Sequence, residues 1–221
     1  MDQGRAVLWP LHLARLTTSA QILGLPLPDR LPSHLDVVAA ASGGAGVAAV
    51  RLTADSAGIR LAARPVPPAG DGWRVCAGPH GRVLHALLAH KTTARAEHEA
   101  AAAHACLREC QEALWVDPTG RLTEGTITNL FIYRRGRVLT PAATCGLLPG
   151  IARGRLLAAG RLAGQPVEEA EVYPADLAAA DEAFVTNAVR GAIPILAWEG
   201  MPLRRGTLWQ AAVRVIFAGG G

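Results

Sequence analysis

The chain has 221 residues, half of them hydrophobic, and a formal net charge of +4. That is enough to bury a core in one large domain or two small ones, and no apolar run reaches membrane-spanning length without a charge or a turn former. The arginines are scattered and not interleaved with aromatics, which argues against a nucleic-acid surface; Cys76, Cys106, Cys110 and Cys145 make no CxxC pair and no metal-like spacing with histidine, which argues against a metal centre or a disulfide framework.

Taken in chain order, Met1-Asp2-Gln3-Gly4-Arg5 lacks a basic region followed by an apolar stretch, so no secretory signal is read and a reduced, cytoplasmic setting is expected. Leu13, Leu16, Ala20 and Leu23 recur at helical spacing and predict a helix over His12 to Gly24. A short apolar stretch follows from Leu35 to Ala41. Ser42-Gly43-Gly44-Ala45-Gly46 lacks the Gly-Lys-Ser/Thr of a phosphate loop and reads as a turn before a strand at Val47 to Thr53. Gly58 marks another turn, with a second strand at Ile59 to Ala63. The Pro/Gly-rich run Arg64 to Gly72 is the best linker, which predicts a small domain over 1–66 and a larger one over 67–221.

The larger domain begins with a strand at Trp73 to Ala77 and a helix over Ala94 to Glu112, rich in Ala, Glu and Arg. A strand at Glu112 to Asp117, a turn at Asp117-Pro118-Thr119-Gly120 and one long strand from Leu122 to Tyr133 come next. Val138 to Thr140 is a strand and Ile151 to Ala163 a helix. Val167 to Val172 is a strand, Ala175 to Ala180 a short helix, Ala183 to Ala188 and Ile193 to Trp198 strands, and Thr207 to Phe217 a closing helix. This mixed order predicts an α/β or α+β fold.

One residue stands out chemically. Of 22 lysines and arginines, Lys91 is the single lysine. Arginine stays protonated in proteins, whereas a lysine amine can lose its proton and attack a carbonyl. The seven histidines show no ligand spacing, and His90 reads as a loop histidine bordering Lys91.

Four segments, His12-Leu13-Ala14-Arg15-Leu16 with Ser19-Ala20, His90-Lys91-Thr92-Thr93, Thr123 to Phe131 and Gly146 to Ile151, resemble the class IV aminotransferases, which are fold-type IV pyridoxal-phosphate enzymes. Phe184-Val185-Thr186-Asn187-Ala188 supports them. The group includes branched-chain and D-amino-acid aminotransferases and aminodeoxychorismate lyase. The resemblance implies a two-domain α/β fold with pyridoxal 5'-phosphate in the cleft between the domains, and a homodimer.

By the same resemblance, Lys91 is the catalytic Schiff-base lysine, a proton shuttle in a partly dry pocket. Glu124 is the carboxylate facing the pyridine nitrogen, with Thr126 and Thr128 sharing its face of the long strand. Arg15, the Leu148-Gly150-Ile151-Ala152 step at a helix start and the Thr186-Asn187-Ala188 loop hold the cofactor phosphate. Relatives often carry hydroxyls at the positions of Ala152 and Ala188, so backbone donors are expected to take more of the load here. Relatives also place strands with a Phe-Glu-Thr segment before the His-Leu-x-Arg-Leu helix, so this chain is expected to be shortened or to begin at a late start codon. The expected partner is a small amino-acid-like substrate, with no nucleic acid, membrane or metal. The expected reaction is transamination, with aminodeoxychorismate lyase chemistry, or a catalytically poor cofactor binder, as alternatives.

Overall fold

The computed structural model describes residues 6–41, 48–79, 81 and 84–218. The glycine-rich turn after Ala41, the first residue of the expected strand at Val47 and the opening Met1 to Arg5 lie outside them. The chain divides into a unit that ends at Pro68 and a second unit, Ala69–Ala218.

The first unit contains helices α1 (Trp9–Ile22) and α2 (His34–Ala41) and an antiparallel hairpin of β1 (Ala48–Asp55) and β2 (Gly58–Pro65). α1 starts earlier than the apolar spacing alone predicts, because Pro10 sits in its first turn, where its missing N–H costs nothing. Ser33 opens α2: its amide and hydroxyl donate to Asp36, and its hydroxyl accepts from the Asp36 amide.

The second unit contains β3 (Trp73–Ala77), α3 (Ala96–Leu107), β4 (Glu112–Val116), β5 (Leu122–Gly125), β6 (Asn129–Arg134), β7 (Arg137–Pro141), α4 (Ile151–Ala159), β8 (Arg161–Leu162), β9 (Gln165–Ala170), α5 (Pro174–Ala178), β10 (Glu182–Asn187), β11 (Gly191–Trp198), β12 (Met201–Pro202) and α6 (Leu208–Phe217). The strands pair in the order β10–β11–β3–β4–β5–β6, and β6 pairs back onto β10, so this ring of strands closes on itself. β7, β9 and β8 extend it from β6. Closure removes strand edges that would otherwise be open to pairing. Inside the ring lies the main core, built on Trp73, Val75, Leu114, Leu122, Leu130, Ile132, Val185, Ile193 and Ile195. On the outside α4 packs against β9, β10 and α6, and α6 against β11. A smaller core of Cys76, Ala101, Ala105, Ala113 and Trp115 fixes α3 on β3 and β4. All four cysteines are free thiols.

The long strand expected from Leu122 to Tyr133 is two strands. β5 ends at Gly125, and the chain turns before β6 begins at Asn129. The helix expected to run to Ala163 stops at Ala159, where Gly160 takes a left-handed backbone with φ 66° and β8 begins. No helix among the described residues is long and apolar enough to cross a membrane.

Candidate active site

A register shift sets the site. Against β4, Val116 pairs with Leu122 and Leu114 with Gly125, so β5 holds one residue more than its partner over the same span. Such a bulge flips the alternation of faces. Leu122 points into the ring with Leu114, while Glu124 points out. Glu124 pairs with Asn129 on β6, and Asn129 with Thr186 on β10, so these three polar side chains form one row across three strands. All three are buried.

Asn129 is the centre of the row. Its side-chain amide donates to Glu124 Oε2 at 3.4 Å and to the Leu148 carbonyl at 2.9 Å. Its Oδ1 lies where a Cβ on Gly150 would stand, so residue 150 must be glycine for the loop to come this close. Gly150 is the N-cap of α4, and no side chain caps that helix. The first-turn N–H groups of an α-helix have no partner within the helix and carry its positive dipole end. Those of Ile151 and Ala152 therefore offer an anion site next to the row.

Thr186 adds a second feature of the same kind. Its Oγ1 is buried with no hydrogen-bond partner. A buried hydroxyl left unbonded costs about 1–3 kcal/mol, so its retention beside an uncapped helix start fits a bound acceptor. Asn187 turns its Oδ1 onto its own loop, accepting from the amides of Val189 at 3.0 Å and Arg190 at 2.8 Å. This commits the Asn187 Oδ1 to the loop itself. Ala188 is half-buried and Ala152 buried, without hydroxyls.

α4 is itself held from behind. Buried Arg153 donates to the Pro141 carbonyl at 2.8 Å and pairs with Glu169 on β9. That hydrogen bond, followed by one from the Ala143 amide, holds the Glu169 carboxyl below its ordinary range against the opposing effect of burial.

Thr126 and Thr128 do not share the face of Glu124, because the strand breaks between them. They turn to Glu112, a buried glutamate at the start of β4. Its carboxylate accepts from the Thr126 amide at 2.8 Å and hydroxyl at 2.5 Å, the Ile127 amide at 3.2 Å and the Thr128 hydroxyl at 2.8 Å. Burial pushes the Glu112 carboxyl above its ordinary value, and the four hydrogen bonds pull the other way. A Cβ on Gly125 would stand 2.7 Å from the Glu112 carboxyl carbon, which leaves no room for a side chain.

Lys91 lies between a 3-10 turn (Ala86–Ala89) and α3. Its segment is anchored on both sides. Upstream, Leu84 and Leu88 pack where a Cβ on Gly146 would stand. Residues of the 84–89 and 143–147 stretches, among them Leu84, Leu88, Ala89, Thr144, Gly146 and Leu147, line a cavity of about 360 Å³. Downstream, Arg95 Nη2 donates to the Thr126 carbonyl at 3.2 Å. The Lys91 segment is thus tied to the two loops that carry the Glu124 row and the start of α4. The lysine itself is exposed in the single chain. Arg15 lies half-buried on α1, in the first unit, where burial lowers its guanidinium pKa.

Two residues were missed as participants by sequence reasoning. Asn129 stands inside a quoted motif, and its signal is a strand asparagine that must be bonded when buried. Glu112 is a charged residue opening an otherwise apolar strand, Glu-Ala-Leu-Trp-Val.

The profile of the class IV amino-transferases matches residues 1–198. The chain belongs to the class IV aminotransferase family. Members of this family use pyridoxal phosphate, and the donor set here, an uncapped helix start, an unbonded buried hydroxyl and a buried carboxylate, fits its phosphate and its pyridine nitrogen. A branched-chain aminotransferase of Thermoproteus uzoniensis, solved with norvaline, superposes with a TM-score of 0.81 at 26% identity, over 96% of this chain and 78% of that one. A Legionella pneumophila protein provisionally named as a 4-amino-4-deoxychorismate lyase gives a TM-score of 0.86 at 19% identity, covering 98% and 87%, a likeness of fold alone. The branched-chain-amino-acid aminotransferase of Escherichia coli K12 is 29% identical over 105 residues, 48% of this chain and 34% of that protein. The aligned part of the chain spans about a third of the length of the curated relatives it matches.

Proposed function

We propose that this class IV family member is a pyridoxal-phosphate-dependent aminotransferase acting on an amino acid, with Lys91 as its covalent attachment point. The observation that carries the reading is the row Glu124–Asn129–Thr186 set against the uncapped start of α4. When bound, pyridoxal phosphate supplies an electron-withdrawing ring that acidifies the Cα–H of an attached amino acid. The chain's own residues do the rest. Glu124 holds a proton at the pyridine nitrogen, and Asn129 orients its carboxylate. The N–H groups of Ile151 and Ala152 and the Thr186 hydroxyl would hold the phosphate, and the Asn187–Ala188 loop would add backbone donors. Arg15 is assigned as the cation for that phosphate on the strength of the His12 to Leu16 motif. The Lys91 amine carries the proton to and from the substrate Cα. The resemblance also supports a homodimer as the working unit, which sedimentation of the purified chain would show.

Borohydride reduction of the protein mixed with pyridoxal phosphate, followed by peptide mapping, should leave the pyridoxyl label on Lys91. The labelled peptide elsewhere, or nowhere, overturns the assignment. Substrate is settled by paired reactions. A branched-chain amino acid with 2-oxoglutarate should yield glutamate; 4-aminobenzoate from aminodeoxychorismate, with no glutamate from the first reaction, would instead make the protein a lyase. Label on Lys91 with neither product would make it a cofactor binder of poor activity.

A further inference from the structure

We infer that Glu112 is a positioning residue: through the Gly125–Thr128 turn it fixes the Glu124–Asn129 pair and, by way of Arg95, the Lys91 segment. The inference rests on the functional reading above and concerns a residue which that reading does not use.

Burying a carboxylate costs far more than burying an apolar side chain unless it is bonded. Among the described residues no cation pairs with Glu112. Apart from the amide of its neighbour Ala113, at 3.1 Å, every bond its carboxylate accepts comes from three consecutive residues, Thr126, Ile127 and Thr128. The carboxylate is therefore committed to one target, the turn that joins β5 to β6. That turn is flanked by Glu124 on one side and Asn129 on the other. A residue whose N–H is held from one side and whose carbonyl is held from the other has both flanking peptide groups tied. Thr126 is such a residue: its amide and hydroxyl donate to Glu112, and its carbonyl accepts from Arg95. Arg95 is the last residue before α3 and lies in the same short segment as Lys91. One buried carboxylate thus fixes both arms that must meet at the cofactor. A purely structural role would not need every bond to converge on this turn, and an apolar residue would fill the volume at lower cost.

The test uses the full chain. Glu112→Gln keeps the shape of the side chain but gives one of its two acceptor positions a donor. In the cofactor-free protein, hydrogen exchange at the amides of Thr126 and Ile127 should rise roughly tenfold or more. Exchange in the peptide covering Lys91 to Ala96 should rise with it, while β7 and β9 stay as in wild type. With pyridoxal phosphate added, kcat should fall and KM for the amino acid should hold. Arg95→Lys should loosen the Lys91 peptide and leave the Thr126 and Ile127 amides protected. Glu112→Ala is the harsher variant, and if it does not fold the glutamine variant still decides. Exchange unchanged at the turn, or raised evenly over the whole second unit, would overturn the positioning role. If wild type takes its pyridoxyl label on Lys91 and the turn does not respond to Glu112→Gln, only this inference falls. If wild type takes no label on Lys91, the functional reading falls and this inference with it.

Discussion

At the scale of single residues, the roles proposed for a hydroxyl and a carboxylate can be tested separately. Thr186 Oγ1 is buried and unbonded, so Thr186→Val removes nothing that the cofactor-free fold uses. Relief of the unmet hydroxyl should leave the melting temperature of the cofactor-free chain equal or higher. Affinity for pyridoxal phosphate, followed by absorbance titration, should fall about tenfold if one hydrogen bond to phosphate is lost; unchanged affinity would remove Thr186 from the phosphate site. Glu124→Gln should bind the cofactor yet turn over on the order of a hundredfold more slowly, because a neutral amide does not hold the pyridine proton. Wild-type turnover in that variant would mean that Glu124 is not the pyridine partner. Lys91, Glu124 and Thr186 stand out in the sequence because each falls in a short motif. Glu112 was not, since its partners are brought to it by pairing of β4 with β5, and a single sequence carries no trace of which strands pair.

At the scale of elements, apolar patterning found most helices and strands within a few residues but missed the break in the Leu122 to Tyr133 stretch. Thr123 to Thr128 is rich in β-branched residues, as strands are, and the features that break it, a bulge and a distant buried carboxylate, are tertiary. The same elements give a pH prediction. Glu169 is held below its ordinary carboxyl range first by the hydrogen bond from Arg153, in the first turn of α4. A folded-state pKa below the unfolded one contributes stability that is present above the unfolded value and is lost as pH falls through the depressed folded value. Acid should therefore weaken the brace behind the α4 start within that window. Thermal melts across acid pH should show Glu169→Gln less stable than wild type near neutrality, with the two curves converging as pH falls through the depressed value. Parallel curves would mean that the pair does not support α4. Sequence reading could see the helix start at Gly150-Ile151 but not its brace, because Arg153 and Glu169 lie on separate elements.

At the scale of the whole molecule, composition marks the Pro/Gly-rich run from Arg64 to Gly72 as a linker; its first two residues end β2, and the chain divides after Pro68. The two units differ in what each encloses. The second holds two core clusters and a ring of strands that closes on itself. In the first, the buried hydrophobic residues among those described are Leu8, Ala20 and Val37. Among the described residues its sheet is a two-stranded hairpin, and a lone hairpin is marginal in water. Small units bury too little surface to offset the entropy of ordering their chain. A fragment spanning Ala69 to Ala218 should therefore unfold cooperatively in urea, followed by tryptophan fluorescence and circular dichroism with coincident transitions. The fragment ending at Pro68, studied alone, should show no such transition. Limited proteolysis of the intact chain should cut first in the exposed stretch Pro67 to Asp71, upstream of Gly72, whose Cα is packed so tightly that a Cβ there would stand 2.8 Å from the Pro194 carbonyl oxygen of β11. Cooperative unfolding of the smaller fragment, or failure of the larger one to fold, would show that the cores do not partition the stability of the chain in this way.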